Sequence, residues 1–424
     1  MKTLRNAVIA IFAGLILMIS CKKSDIALPK SEANIDSIAS KYYEGYLKMY
    51  PLEATMQGDS RYNDLLSNNI SSEFISKEIE FYTDTQKKLK SIDYDDLSDE
   101  QKTVYDVLDY TLKDKIERYA YHPELLPFSQ FEGLPLDFPL LGSAEGNQPF
   151  KTTKDYDNWL KRIDAFVIWM NTAEKNFREG MKQNVVLPKK LVVKMIPQMH
   201  SEEIITEDFD KNIFYGPIKK MPKNFSAKDK EKYKILYQEA ISSKIIPAYQ
   251  KMGDFLEKEY LPKARNTDGI NALPNGKNIY EYYAKSWTTT NKTPEEINKI
   301  GLQQVAMLRA EMEKVKTQLG FKGSLEEFLT SLKTDKKAMP YKTPEEVIAA
   351  FNGILKKIEP KLPSMFSKFP KTPFEIRRTE KFREASASAE YKQGTPDGKR
   401  PGIFYTPIPD ATKYNVTNGF ESLF

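Results

Sequence analysis

Imidazoles and thiols are scarce: His122 and His200 are the only histidines in 424 residues, and Cys21 is the only cysteine. A single cysteine excludes a disulfide framework and a thiolate zinc site. A Ser-His-Asp triad would have to recruit one of the two isolated histidines, and no G-x-S-x-G elbow accompanies them. Neither histidine has a partner at metal-ligand spacing, so each reads as a surface or hydrogen-bonded structural residue. A phosphate loop is missing as well. In "GTPDGKR", Gly394 to Arg400, the glycines stand one residue too close, and Arg400 occupies the place of the Ser or Thr that would hold magnesium. With no basic run interleaved with aromatics and a formal net charge of only +5, nothing argues for nucleic acid.

Carboxylates and aromatics are plentiful, with 59 Asp and Glu, 24 Tyr and 23 Phe. An acid/base pair of the glycosidase type therefore stays open, although spacing does not say which two carboxylates would meet. The N-terminus reads as a secretory signal: Lys2 and Arg5, an apolar run from Ala7 to Ile19 too short to span a bilayer comfortably, then Ser20-Cys21. Its end resembles the lipobox of bacterial lipoproteins, with Met18 where Leu is usual, and Cys21 is the expected lipidation site. Residues 1–20 are thus expected to be cleaved and 21–34 to form a polar, lipidated tether. Residues 35–424 form the folded body, whose length alone allows about two or three domains. The expected location is the bacterial cell envelope, on its periplasmic or surface side.

The body reads as mainly α. Ile35, Ile38, Ala39, Tyr42, Tyr46 and Tyr50 recur at three- and four-residue steps until Pro51. Trp159, Leu160, Ile163, Phe166, Val167, Met170 and Phe177 do the same, with Gly180 as the expected stop; this stripe reads as core. "KTPEE" opens two helices, with Thr293 and Thr343 as N-caps, a proline at the first helical position and a glutamate at the third. One strand stands out, Gly402 to Ile408, which Pro407 assigns to a sheet edge. The last residues, "TNGFESLF", carry a capping pair, Asn418 and Glu421, ahead of apolar Phe420, Leu423 and Phe424. They read as the start of a helix.

The block "REASASAEYKQGTPDGKRPGIFY", residues 383–405, resembles the bacterial family catalogued as domain of unknown function 885. Four earlier stretches match it in order: "GDSRYNDLL" (58–66), "FEGLPLDFPLL" (131–141), "REGMKQNVVLPKKLVVKMIPQM" (178–199) and "YYAKSWTTTNKTPEEINKIGLQQVAMLRAEME" (282–313). The family in turn resembles helical, zincin-like zinc metallopeptidases. The resemblance implies a peptide substrate paired with the edge strand, and a zinc motif, a His-Glu pair followed by Gly-His-His, on the helix after that strand. "NGFESLF" is similar to the lead-in of that helix. The expectation is therefore an N-terminal portion ending before the zinc ligands and general base, inactive alone and without a cofactor of its own, zinc belonging to the full-length member.

The resemblance also implies a missing or separately encoded C-terminal half as partner, a membrane reached through the lipid, and no catalytic or metal residue in this chain. It makes Tyr391, Arg400 and Tyr405 the substrate-side residues. The strand at 402–408 is expected to lack packing partners. The alternative is a non-catalytic helical lipoprotein that binds peptides or glycans.

Overall fold

Capping chemistry sets where most of the long helices begin. The computed structural model describes residues 34–379, 384, 388–395, 398 and 401–415. Cys21, Arg400 and the capping pair at Asn418 and Glu421 lie outside the described residues. The chain divides into two units, Met1–Tyr46 with Ile75–Ala120, and Leu47–Phe74 with Tyr121–Phe424. No described helix is long and apolar enough to cross a membrane.

The first unit is built from α1 (Ile35–Met49), α2 (Ser72–Leu89) and α3 (Asp99–Arg118). A reciprocal capping box between Ser98 and Gln101 starts α3. Ile35, Ile38, Tyr82, Leu89, Leu108 and Leu112 form its core. Buried Glu78 sits among them and accepts hydrogen bonds from the phenols of Tyr82 and Tyr119, so it follows the rule that buried charge is hydrogen-bonded.

The second unit is organised around three neighbours: α4 (Leu134–Gly142), α5 (Thr153–Lys182) and α6 (Lys189–Met199). The apolar stripe read along α5 is core except at half-buried Val167, and Phe138 of α4 stacks 4.0 Å from Phe166 and 4.6 Å from Trp159, centroid to centroid. Gly180 does not stop α5, which runs on to Lys182. A side chain there would meet the carbonyl oxygens of Val185 at 2.6 Å and Leu125 at 2.9 Å, so this glycine admits a close crossing.

α7 (Ala227–Ala240) and α8 (Ile246–Phe255) pack against α5, and α8 also against α6; they are joined by a π turn at Ile241–Ile245, and a second π turn follows at Leu256–Tyr260. Then come α9 (Gly276–Thr288), α10 (Pro294–Gln318), α11 (Leu325–Thr334) and α12 (Pro344–Ile358). Both "KTPEE" phrases cap as read: Thr293 accepts from the Glu296 amide at 3.2 Å and Thr343 from the Glu346 amide at 3.4 Å.

The unit contains a three-stranded sheet near its C-terminal end: β1 (Phe374–Arg378), β2 (Glu390–Lys392) and β3 (Gly402–Thr406), in the order β1-β3-β2. The strand read at Gly402 is therefore central, parallel to β1 and antiparallel to β2, which corrects its assignment to an edge. Pro407 falls just past the strand, where its missing N–H breaks no ladder bond. Nor does β3 lack packing partners. Ile376, Phe404, Ile408 and Ala411 are buried with Val347 and Phe351 of α12.

Candidate functional site

Side chains alternate across a strand, so the sheet register sorts its residues onto two faces. Phe404 opposes Ile376 and Tyr391, on the face that α12 covers. Tyr405 opposes Arg377 on one side and Glu390 on the other, and Ile403 opposes Glu375 and Lys392. The second face thus carries Glu375, Arg377, Glu390, Lys392 and Tyr405. Arg377 donates to Glu375 at 2.8 Å, and its hydrogen bonds, first to Glu375 and then to the Tyr405 phenol, push its pKa up.

Tyr391 and Tyr405 consequently sit on opposite faces. Tyr391 is 56% exposed at the edge strand, its ring 6.2 Å from that of Phe374. Its hydroxyl lies directly over Gly402, and a side chain at 402 would collide with it. Arg400, the third substrate-side residue, is outside the described residues.

Sequence segments far apart meet at the β2 end of this sheet. Gly58, at φ +82°, lies against Thr395, whose Cγ2 would be 2.6 Å from any Cβ placed there. Only glycine meets both demands cheaply. The turn after it is ordered by Asp59, which accepts from Arg61 Nε at 2.9 Å and Arg61 Nη2 at 2.6 Å; the Arg61 hydrogen bond holds the Asp59 carboxyl below its usual range. From α4 comes Asp137. It reaches solvent, yet enough chain crowds its carboxyl that desolvation pushes its pKa up, with Lys392 opposing the shift and Glu132 adding to it. The stretches at 58–66 and 383–405 therefore meet in contact, and Asp137 of the 131–141 stretch lies within electrostatic reach of Lys392. Asp137, Arg377, Glu390 and Lys392 were not singled out in the sequence, because only folding brings them beside β3.

A carboxyl with a raised pKa beside a lysine is suited to proton transfer or to gripping a cationic group. It also makes a pH prediction. The folded carboxyl keeps its proton to a higher pH than the unfolded one, so the stability tied to its protonation is present at low pH. That stability is lost as pH rises from the ordinary carboxylate range through the raised folded pKa. Asp137→Asn should therefore match the parent in chemical denaturation below about pH 3 and be the more stable of the two at neutral pH. A parent that gains on the variant as pH rises would refute the assignment.

The buried arginine of α5 explains how the 58–66 stretch is held. Arg162 has no solvent exposure. It donates to the carbonyls of Leu65 (2.9 Å), Tyr62 (3.1 Å) and Pro51 (3.4 Å), to Thr55 Oγ1 (2.7 Å) and to Gln148 Oε1. Burial pushes its pKa down to about 10, with Asp64 opposing, so it stays charged at neutral pH.

The zinc motif expected from the sequence invites a test of the donors. His122 is a surface residue, its Nδ1 2.9 Å from Glu124. Among the described residues, one histidine-carboxylate group, His200, Asp254 and Glu257, has its ligand atoms within 4.8 Å of one another. Asp254 already pairs with Lys258 at 2.9 Å, and both carboxylates are exposed. These donors sit at the end of α6 and around α8, not on a helix following β3. They do not fit the His-Glu and Gly-His-His set.

The fold is shared with solved bacterial proteins. The chain aligns with a candidate lipoprotein from Colwellia psychrerythraea at a TM-score of 0.78 and 19% identity, covering 93% of this chain and 70% of that one. It aligns with a candidate lipoprotein of unknown function from Shewanella oneidensis at a TM-score of 0.60 and 14% identity, covering 90% and 67%. No curated protein matches it. The model of one bacterial family matches residues 51–423, nearly all of the described body, and the chain accordingly belongs to the bacterial proteins of unknown function designated DUF885.

Proposed function

We propose that this chain is the substrate-binding scaffold of a lipid-anchored, zinc-metallopeptidase-like protein of the bacterial envelope. In this reading Cys21 carries the lipid, and the zinc ligands and general base are supplied by polypeptide outside these 424 residues. The observation that carries it is β2, the exposed edge strand of the sheet among the described residues, with the 58–66 stretch packed just past its end and Asp137 in electrostatic reach. An extended peptide can add to a free edge through main-chain hydrogen bonds, with side-chain pockets setting preference. Tyr391 offers an exposed ring on that edge. Glu390, Lys392 and Asp137 supply charges for the termini or polar side chains of a peptide, and Arg377 holds the Tyr405 phenol in place.

Equilibrium binding of fluorescent, unstructured peptides to the purified chain tests this. Peptides should bind without being cleaved, and Tyr391→Ala should weaken them about tenfold, the equivalent of about 1.4 kcal/mol. Oligosaccharide binding with no peptide binding would instead favour a non-catalytic glycan-capturing lipoprotein. Peptide-bond cleavage by this chain with a stoichiometric metal would overturn the division of labour.

A further inference from the structure

The 25 residues of α10 include none that is buried. At 1.5 Å per residue the helix is about 37 Å long, and its packing neighbours are α9 and α11. Yet it carries a complete apolar stripe. Val305, Leu308, Met312 and Val315, continued by Leu319 just beyond the helix, are 65%, 50%, 43%, 47% and 67% exposed. Their spacing alternates three and four residues. An alternating three-four step averages 3.5 residues, the repeat by which one helix seats its side chains between those of another. Arg309, Glu311 and Lys316 flank the stripe, as charged residues flank such seams. Scattered exposed apolar residues need no explanation, but a contiguous stripe four turns long marks a surface that another element covers.

We infer that α10 is a docking seam for an amphipathic helix of at least about four turns, contributed by the family's further polypeptide. The choice of occupant follows from length. The Colwellia fold includes 93% of this chain but is matched over only 70% of its own length, and the Shewanella one over 67%. The same fold thus comes with more polypeptide in both relatives. This inference rests on the proposal above that such polypeptide completes the scaffold.

The test uses the whole 424-residue chain and synthetic peptides of about 30 residues, long enough to form a helix on binding, tiling the unmatched part of the Colwellia protein. Fluorescence anisotropy should find a peptide with its own three-four stripe that binds. The double variant Val305→Glu, Met312→Glu should weaken it at least about thirty-fold, whereas Ala310→Glu, on the opposite side of α10, should not. Circular dichroism will show both variants folded, since all three positions are exposed. Equal binding to the double variant, or no binding peptide at all, overturns the inference. So does self-association in sedimentation, or adsorption to anionic phospholipid vesicles, that the double variant abolishes. Seam binding without peptide capture at β2 supports the seam and removes the peptidase reading alone.

Discussion

Replacing Arg162 with methionine is expected to destabilise the protein by about 3–5 kcal/mol, a fall in Tm of roughly five degrees for a unit of this size. Buried charges often contribute little net stability, because desolvation offsets what their partners return, and a well-packed apolar replacement can be neutral. That escape requires the polar partners to be replaced as well. Here three are main-chain carbonyls, of Pro51, Tyr62 and Leu65, which no side-chain substitution removes. Each acceptor left buried without a donor costs about 1–3 kcal/mol, less whatever water regains. Lysine at 162 keeps the charge but offers three donors where arginine offers five in a fixed fork, so about half the loss should return. Urea denaturation of both variants decides it. A methionine variant within about 0.5 kcal/mol of the parent would show that the 51–65 segment is held by something other than this guanidinium.

The second large effect is expected at Glu384, which is 4% exposed within the 383–405 block. Its two carboxylate oxygens accept from Arg378 Nε and Nη2 at 2.7 Å each, and Oε1 also takes the Ile408 amide at 2.7 Å. Arg378 returns a bond to the Ile408 carbonyl at 3.2 Å. The carboxylate therefore fastens the end of β1 to the chain leaving β3. Glu384→Gln keeps the shape but turns an amide N–H toward the guanidinium and removes the charge that made these bonds strong. Because the Arg378 side chain is 36% exposed, water softens the loss, and about 2–3 kcal/mol is expected rather than the full cost of a dry pair. The effect should be local. Hydrogen exchange should accelerate in β3 and around Ile408, while α5 keeps its protection. Uniform acceleration across both would mean that the sheet and the helical core open together. High salt should reduce the difference only in part, since the carboxylate is buried while the Arg378 side of the pair is open to solvent.

Legibility followed the range of the interactions. The caps at Ser98, Thr293 and Thr343 and the stripe from Trp159 to Phe177 are written within a few residues of sequence, where backbone amides and helical periodicity impose their own pattern. Arg162 could have been noticed by the same logic. It stands three residues after Trp159 and four before Phe166, on the buried side of the stripe. The flanking strands offered no such signal. "EYK" is too short to show a period and the alternation in "FEIRR" is only two apolar residues deep, Phe374 and Ile376; both are strands because β3 lies between them.

By itself, the sequence determined that the chain is mainly helical, that one cysteine supplies neither a disulfide framework nor a thiolate zinc site, and where several long helices start, because each of these depends on composition or on contacts a turn apart. Tertiary structure alone decided that β3 is central, that Tyr391 and Tyr405 point to opposite faces, and that Gly58, Asp137 and Lys392 gather at one end of the sheet. Strand order and cross-strand register are fixed by pairing between distant segments, whose loop-closure cost and burial leave no periodic mark in the residues between them.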